Sequence, residues 1–300
     1  MLPSLPTSRS LFRKPRFLNC RGRLMEMHRP LLMGILNISD DSFFDGGQYV
    51  TEEQQRAQCA RMLSEGADII DIGACSTRPG SKPVDARTEM LRLRSTLTWF
   101  RREYPEVPVS VDTWRADVAR MAVLEGGADI INDISGGTMD QHMFGTVAGL
   151  RVPYVLSHIQ GTPQDMQQNP VYRDPVGDIL LFLSERVDQL RQQGAGDLMI
   201  DPGFGFGKNA AHNFAIAREL HRFQVLELPV MAGVSRKSMI RKTLGITPDE
   251  ALNGTTVMHT LLLLQGTDIL RVHDVRPAAE CLQLVSKYLD ANAPDSEKFV

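Results

Sequence analysis

The stretch most suggestive of chemistry is Asp201-Pro-Gly-Phe-Gly-Phe-Gly-Lys208, which follows the apolar run Leu198-Met199-Ile200. An aspartate fixed at a strand end can accept hydrogen bonds from the donor edge of a planar ligand. The glycines at 203, 205 and 207 predict a flexible turn, because they tolerate backbone conformations that a Cβ forbids. Taken alone, the stretch is equally consistent with an ordinary turn capped by an aspartate.

Polar residues recur at or just after the ends of other apolar, strand-like runs. They are Asn37, Asp71, Asp112, Asn132, Asp133, His158, Asp201, Ser235 and His273. In a closed barrel of parallel strands, these ends converge on the face where catalysis takes place. Because Asp and Asn are also common turn residues, scattered strand-end caps are the alternative. The number of such positions favours a single site.

Eight strand-like runs alternate with helical patterns and must position these side chains. The strands are expected at residues 31–38, 68–73, 107–113, 129–135, 153–158, 198–204, 229–235 and 268–274. Helices are expected at residues 52–66, 85–104, 116–126, 174–194, 212–223 and 251–265. Apolar strands separated by helices indicate an α/β protein with a parallel sheet covered on both faces. We predict a single-domain (β/α)8 TIM barrel; a doubly wound open sheet is the alternative.

Composition is that of a globular enzyme with a large core, at 42% hydrophobic and 23% charged residues. A net charge of −3 gives no electrostatic basis for binding nucleic acid. No apolar segment is long enough to span a membrane. The four cysteines have no CxxC spacing, which argues against a zinc site or disulfide framework and suits the cytoplasm.

The chain ends differ from the rest. Residues 1–16 contain four basic residues and no acid, and they lack a continuous apolar segment. We interpret them as a disordered basic tail, with a transit-type peptide as the alternative. Residues 17–290 then form the barrel, with 17–30 covering one of its ends, and residues 291–300 form a C-terminal tail. No internal repeat or interdomain linker stands out.

From about residue 31 to 289 the sequence resembles the dihydropteroate synthase family, the folate-pathway enzymes that sulfonamides target. The motifs, in the family's order, are Gly34–Asn37, Asp41–Phe43, Asp71–Gly73 with Ser76–Gly80, Val111–Thr113, Asn132–Gly136, His158 with Gln160–Pro163, Asp201–Lys208, Ser235–Ser238 and Arg271–His273. The resemblance implies a (β/α)8 barrel that forms homodimers. It also implies a transferase that joins 6-hydroxymethyl-7,8-dihydropterin diphosphate to 4-aminobenzoate, releasing pyrophosphate.

For the pterin, the resemblance implies a slot formed by Asp112, Asn132, Asp201, Phe206, Lys237 and Arg271. The 2-amino-4-oxo edge of the ring offers adjacent N–H donors, which a carboxylate such as Asp201 accepts in bidentate fashion. Asn132 both donates and accepts beside it. Lys237 would donate to ring O4 and N5.

The catalytic residues implied are Asp112, Lys237, Arg271 and His273. Breaking the C–O bond to diphosphate leaves cationic character on the methylene group, which Asp112 would oppose. The resemblance assigns the diphosphate to Asn37, Arg271 and His273. Asn37 would also be the protein ligand of Mg²⁺, a hard ion that keeps waters and phosphate oxygens as its other ligands.

For the aminobenzoate, the resemblance implies Phe43, Thr77, Arg78, Pro79 and Ser238. Loops 39–47 and 74–82 would close over this ring and exclude water. Ser238 is expected to begin a helix, whose N-terminus favours a carboxylate.

Three departures from the family's motifs are visible. Asp40 replaces a proline in the first loop, Cys75 stands where the second loop often has Glu, and Ser157 stands where a Met usually precedes the histidine. Two alternatives share a pterin site: a noncatalytic pterin-binding paralogue and a methyltetrahydrofolate:corrinoid methyltransferase. The second has no use for Ser76–Pro79 or a diphosphate clamp.

Overall fold

The computed structural model describes residues 16–38, 51–76 and 84–291 of the chain. Its strands are β1 Arg16–Cys20, β2 Arg23–Met27, β3 Leu31–Asn37, β4 Ile69–Gly73, β5 Val109–Asp112, β6 Ile130–Asp133, β7 Tyr154–Ser157, β8 Leu198–Asp201, β9 Met231–Ala232 and β10 Ile269–Val272. Strands β3 to β10 form one parallel sheet in the order β8-β7-β6-β5-β4-β3-β10-β9. Each strand therefore lies beside its neighbour in the chain, apart from the junction between β3 and β10.

The two ends of this sheet meet. Ile200 in β8 forms a parallel bridge with Val230, and its N–H donates to the carbonyl of Pro229 at 2.9 Å, just before β9. An open doubly wound sheet has free edges, so this contact excludes it. The (β/α)8 barrel predicted from the sequence is confirmed.

The helices surround the barrel. They are α1 Glu52–Ser64, α2 Ala86–Glu103, α3 Ala116–Leu124, α4 Met143–Leu150, α5 Pro175–Gln192, α6 Ala210–Arg218, α7 Ser238–Leu244, α8 Leu252–Leu264 and α9 Val275–Asp290. The expected helix over 212–223 is shorter than predicted, because α6 ends at Arg218 and a 3-10 segment, Leu220–Leu226, follows. Helix α4 was not anticipated, since it is short and contains two glycines, which lower helix propensity. In the described ranges no helix is long and apolar enough to cross a membrane.

An antiparallel hairpin, β1–β2, closes the N-terminal end of the barrel. Its buried residues Leu18, Cys20 and Met27 pack against the lowest inward-facing side chains of the barrel strands, among them Met33 and Ile69. The expected covering element within 17–30 is therefore present. It starts one residue earlier than expected, because Arg16 belongs to β1 and not to the tail.

A short repeat precedes alternate strands, contrary to the expectation that no repeat exists. Gly-Xaa-Asp-Ile occurs at 66–69, 127–130 and 266–269 and leads into β4, β6 and β10. Each aspartate of the repeat forms two hydrogen bonds with one residue of the neighbouring strand segment: its N–H donates to that residue's carbonyl, and its Oδ2 accepts that residue's N–H. The pairs are Asp68 with Leu32, Asp129 with Val109 and Asp268 with Val230. The repeat spans only four residues, so it fixes strand starts and does not define a larger unit.

Candidate active site

A polar layer lies across the C-terminal mouth of the barrel. Four alternate strands carry a buried apolar layer, Ile69, Ile130, Met199 and Ile269. Two residues further along the same strands stand Asp71, Asn132, Asp201 and Arg271. Because side chains alternate along a strand and alternate strands share a layer in such barrels, these four face the same interior space.

Arg271 is the centre of this layer. Its Nε donates to Asp71 Oδ2 at 2.6 Å, and its Nη2 donates to Asp112 Oδ2 at 2.8 Å. Asn132 Nδ2 also donates to Asp71 Oδ2, at 3.1 Å. The guanidinium therefore joins side chains from β4, β5 and β10, and two carboxylates already balance its charge.

Three oxygens of this cluster are buried and have no partner among the described residues. They are Asp71 Oδ1, Asp112 Oδ1 and Asn132 Oδ1. A buried acceptor without a hydrogen bond costs about 1–3 kcal/mol. Acceptors left open on neighbouring strands suit a ligand that brings N–H donors, as the pterin edge would.

Burial also changes the charge behaviour of the site. It raises the pKa of Asp112, with Arg271 acting in the opposite direction and Asp71 adding to the rise. Burial likewise raises the pKa of Asp201, with Lys237 as the strongest opposing group. It lowers the pKa of Lys237 to about 8, although Asp201 favours the protonated amine. Perturbed pKa values of this kind are typical of functional clefts.

The loop after β8 is not the flexible turn predicted from its glycines. Four side chains, those of Lys208, Lys237, Gln167 and Tyr172, donate to the five carbonyls of residues 203–207. Lys208 Nζ binds Gly203 O and Phe206 O, Lys237 Nζ binds Phe204 O, Gln167 Nε2 binds Gly205 O and Tyr172 Oη binds Gly207 O. The glycines serve close approach, since a Cβ on Gly203 would lie 1.9 Å from the carbonyl of His158. The loop is therefore held in one conformation.

Asp201 and Lys237 both contact this loop and interact electrostatically with each other. Gly203 N–H donates to Asp201 Oδ1 at 2.7 Å, which fixes the carboxylate. Lys237 Nζ stands 4.7 Å from the centre of the Phe206 ring, within cation–π range. The backbone at Lys237 is held by the preceding residue, because Arg236 makes a bidentate pair with Asp274.

His273 and Asn37 lie at the edges of the mouth. His273 Nδ1 is 3.1 Å from Ser235 Oγ, so the imidazole contacts the segment that follows β9, while Arg271 contacts Asp71 of β4 and Asp112 of β5. Asn37 ends β3, and its Oδ1 would lie 3.4 Å from a Cβ placed on Gly73. That same Cβ would lie 3.8 Å from Asp112 Oδ2, so both oxygens flank one glycine beside the mouth.

Of the residues expected to bind aminobenzoate, Phe43, Thr77, Arg78 and Pro79 lie outside the described residues. Ser238 begins α7, as predicted from the sequence, with Lys237 as its N-cap. Near it, Phe206 packs with an apolar cluster of Cys75, Trp114 and Ile134. This cluster is separate from the main core, and Trp114 and Ile134 stand two residues after Asp112 and Asn132 in the chain.

Two important residues were not assigned a role from the sequence. Asp71 was noted as a strand-end residue only, yet it binds both Arg271 and Asn132. The Gly-Xaa-Asp-Ile repeat is the signal that was missed, because Asp71, Asn132 and Arg271 each stand three residues after its aspartate. The second is Lys208, whose amine lies beneath the glycine loop.

Known proteins resemble this chain over nearly its whole length. Residues 33–273 match the family described as pterin binding enzyme. A dihydropteroate synthase from Synechocystis is 40% identical over 255 residues, covering 84% of this chain and 88% of the relative. A Yersinia pestis dihydropteroate synthase, solved as a sulfonamide drug complex, is 36% identical, with a TM-score of 0.87 and coverage of 92% and 100%.

The Xanthomonas albilineans dihydropteroate synthase gives a similar match. Its structure with 4-aminobenzoic acid is 37% identical, with a TM-score of 0.85, and covers 94% of this chain and 100% of the other. Its complex with 7,8-dihydropteroate has a TM-score of 0.82, with 35% identity and coverage of 93% and 100%. By fold, by the polar layer at the barrel mouth and by these likenesses, the chain belongs to the pterin-binding enzymes, and among them to the dihydropteroate synthase family.

Proposed function

We propose that this chain is a transferase of folate biosynthesis. It condenses 6-hydroxymethyl-7,8-dihydropterin diphosphate with 4-aminobenzoate, giving 7,8-dihydropteroate and pyrophosphate. The observation that carries this proposal is the set of open acceptors on Asp71, Asp112 and Asn132 at the barrel mouth. Relatives solved with 4-aminobenzoic acid and with 7,8-dihydropteroate support it.

In this proposal the pterin lies across the polar layer. Asp201 accepts from the 2-amino and adjacent ring N–H groups, and Asn132 pairs beside it. Lys237, which must be protonated to do so, donates to the ring acceptors, and Phe206 lines one wall. Arg271 anchors Asp71 and Asp112, so it orders the acceptors in addition to facing the ligand.

Charge handling falls to Asp112, Lys237, Arg271 and His273. As the C–O bond to diphosphate breaks, Asp112 opposes the positive charge that spreads over the methylene and the ring. The amine nitrogen of 4-aminobenzoate then forms the new C–N bond and loses a proton. Two carboxylates, Asp71 and Asp112, already neutralise the charge of Arg271. A larger share of the diphosphate binding therefore falls to His273 and Asn37 than the sequence suggested.

The donor set fits Mg²⁺ in the position implied by the family. Asn37 offers a hard amide oxygen, and its Oδ1 lies on the same side of Gly73 as an Asp112 oxygen. Among the described residues no group of three or more His, Cys, Asp or Glu side chains could hold a metal. A single protein ligand, completed by diphosphate oxygens and waters, suits this ion. When bound, Mg²⁺ would neutralise charge on the departing pyrophosphate.

For the arylamine, Thr77 and Ser238, which begins α7, address the carboxylate. Phe43 and Pro79 flank the ring, and Arg78 stabilises the closed loops. Sulfonamides compete for this pocket, as a Yersinia pestis relative solved as a sulfonamide drug complex suggests. Because the pocket depends on loops 39–47 and 74–82, we expect a sulfonamide to bind poorly to the protein alone. It should bind better once a pterin and Mg²⁺-pyrophosphate are present.

We also propose a cytoplasmic homodimer formed through α8 and α9. These packed helices expose two apolar pairs at helical spacing, Val257 with Leu261 and Leu284 with Tyr288. Apolar side chains exposed side by side mark interaction surfaces. Light scattering should give twice the mass of 33.4 kDa. Leu261→Glu should give monomers, whereas Leu124→Glu, at an exposed position at the end of α3, should not.

The decisive experiment combines the purified protein, both substrates and Mg²⁺, with pyrophosphate release and 7,8-dihydropteroate followed over time. Asp112→Asn should lower kcat about 100-fold, since a preorganised charge of this kind is worth roughly 3 kcal/mol. The matched control, Asp117→Asn, changes an exposed aspartate on α3 and should leave turnover within about twofold. Pterin diphosphate that binds without turnover would instead identify a noncatalytic paralogue.

A further inference from the structure

A buried lysine lies directly beneath the proposed pterin site and has no role in the reaction described above. Lys208 is only 2% exposed. Its Nζ lies 2.9 Å from Gly203 O, 2.9 Å from Phe206 O, 3.3 Å from His158 O and 2.9 Å from His158 Nδ1. The amine therefore sits between the end of β7 and the loop after β8.

These contacts fit an ammonium group. Three of the four are carbonyl oxygens, which only accept hydrogen bonds, and an ammonium has three protons to donate. The fourth, His158 Nδ1, accepts when the neutral ring carries its proton on Nε2. Burial lowers the pKa of His158 to about 2, with Lys208 acting in the same direction, so this ring is neutral.

Lys208 and Asp201 interact electrostatically. Burial lowers the pKa of Lys208 well below its usual value, and Asp201 is the first group that opposes this change. In return, Lys208 is one of the cations that hold down the pKa of Asp201 against the effect of burial. Lys237 and Arg271 act on Asp201 in the same sense, so Lys208 is one of three cations that favour its ionised form.

The hydrogen bonds of Lys208 also set the loop geometry. Gly203 donates its N–H to Asp201 Oδ1 while its own carbonyl accepts from Lys208. The two loops approach so closely that a Cβ on Gly207 would lie 2.3 Å from Gln160 O. Movement of the Gly203 carbonyl would therefore move the N–H group that orients Asp201.

We infer that Lys208 is a positioning residue for Asp201, because its ammonium holds residues 203–206 in the conformation that orients this carboxylate and supplies it with a buried positive charge. This inference rests on the proposed function, in which Asp201 binds the pterin. It gives Lys208 the role of keeping Asp201 ionised and aimed at the ligand, while Lys208 itself touches no substrate.

The test is the pH dependence of pterin diphosphate binding, measured by calorimetry from pH 5.5 to 8.5 with wild type, Lys208→Met and Tyr172→Phe. Lys208→Met keeps the chain length but removes the charge and its hydrogen bonds. It should weaken binding about 10–50-fold at pH 7, and the acid limb should move up by about one pH unit, as expected when a carboxylate loses a close cation. The KM for 4-aminobenzoate at saturating pterin should stay within about twofold, because the arylamine does not contact Asp201.

Tyr172→Phe is the matched control, since it removes a neutral donor to the same loop at Gly207 O. It should leave the acid limb in place and change affinity less than about threefold, as expected for one neutral hydrogen bond. An equal loss of affinity in both variants, with no shift of the acid limb, would overturn the inference and leave only a packing role.

If Lys208→Met does not fold, Lys208→Gln replaces it, because glutamine keeps a donor without the charge. The upward shift of the acid limb is again expected, and an unshifted limb overturns the inference. Failure of the wild type to bind pterin diphosphate would overturn the proposed function and this inference with it. Binding by wild type, with a Lys208 variant that behaves identically, overturns the inference alone.

Discussion

Both ends of the barrel carry aspartates, and the two ends use them in opposite ways. At the N-terminal end, Asp68, Asp129 and Asp268 each accept a backbone N–H on the carboxylate and pair with an arginine. At the C-terminal end, Asp71 and Asp112 share Arg271 but keep buried oxygens without partners among the described residues. One end uses its charges to fix strands, and the other leaves acceptors for a ligand.

One aspartate at the N-terminal end, Asp129, shares a feature with the mouth. Asp129 also has a buried oxygen without a partner, although its other oxygen binds both Arg101 and Val109 N–H. At the mouth, three such oxygens occur on adjacent strands. An isolated unpaired atom is compatible with a structural pair, whereas a group of them on one surface points to ligand binding. The comparison therefore predicts that mutations at the two ends affect different properties.

The largest expected effect is on stability, at the N-terminal end. Asp129→Asn leaves Arg101 without its charged partner in a largely buried position, which should lower the free energy of unfolding by about 3–5 kcal/mol. Urea unfolding measures this, with exposed Asp188→Asn on α5 as the control. Pterin affinity of the folded variant should match wild type. A loss of less than about 1 kcal/mol would contradict the structural role.

The second prediction concerns binding, at the opposite end. Asp201→Asn should weaken pterin diphosphate binding about 100-fold, because two charge-assisted hydrogen bonds become neutral or repulsive. Its folded-state pKa lies above the ordinary value, so the ionised form is disfavoured by folding. The neutral amide should therefore leave the melting temperature equal or higher. Calorimetric titration and thermal unfolding check both halves, and unchanged affinity would reduce Asp201 to a turn cap.

The third prediction concerns the pH dependence of kcat/KM, which two groups at the barrel mouth, Lys237 and Asp112, should determine. Pterin binding needs Lys237 protonated, and its pKa of about 8 sets the alkaline limb of kcat/KM. Activity should fall about tenfold per pH unit above that limb. Asp112 must be ionised, and because burial raises its pKa, the acid limb should lie above the range of an exposed aspartate.

Stability should move in a defined direction over the same alkaline range. The folded-state pKa of Lys237 is lower than its unfolded value, so folding favours the neutral amine. The contribution of Lys237 to stability should therefore rise as pH increases through about 8. Lys237→Arg removes this titration, because arginine stays protonated, and should flatten the alkaline limb of kcat/KM. Retention of the limb in this variant would mean that another group titrates there.

The smallest expected effect is at Ser157, which ends β7 beside Asp201 in the sheet. Ser157→Met should tighten pterin binding by about fivefold if the longer side chain packs on the ring without strain, as apolar contact of this size is worth about 1 kcal/mol. Ser157→Ala is the control for loss of the hydroxyl. Turnover should persist in all three forms; weaker binding by Ser157→Met would mean that the mouth has no room above this strand.

Local sequence patterns predicted the positions of the strands well and their first and last residues less well. The eight strands appear where apolar runs were found, but each is shorter than its run. Strand β9, for example, spans only Met231–Ala232 within the expected 229–235. Most residues that fall outside the observed strands are Asp, Ser, His, Pro or Gly at the ends of the runs. The pattern included them by their position along the chain, whereas strand pairing depends on backbone partners in the neighbouring strand. The glycine loop after β8 was misjudged for a similar reason. Glycine composition predicts freedom, but distant donors such as Gln167 and Tyr172 remove it.

The sequence by itself determined the alternation of strands and helices, the polar residues at strand ends and the family to which they belong. These depend on local order, because side-chain period and turn residues are read along the chain. Only the tertiary structure decided that the sheet closes, that Arg271 binds both Asp71 and Asp112, and that Lys208 lies beneath Asp201. Those pairs are separated by up to 200 residues, and their distances follow from barrel closure and strand register. No local pattern encodes such distances, so the chemistry of the site follows from the three-dimensional arrangement of these side chains.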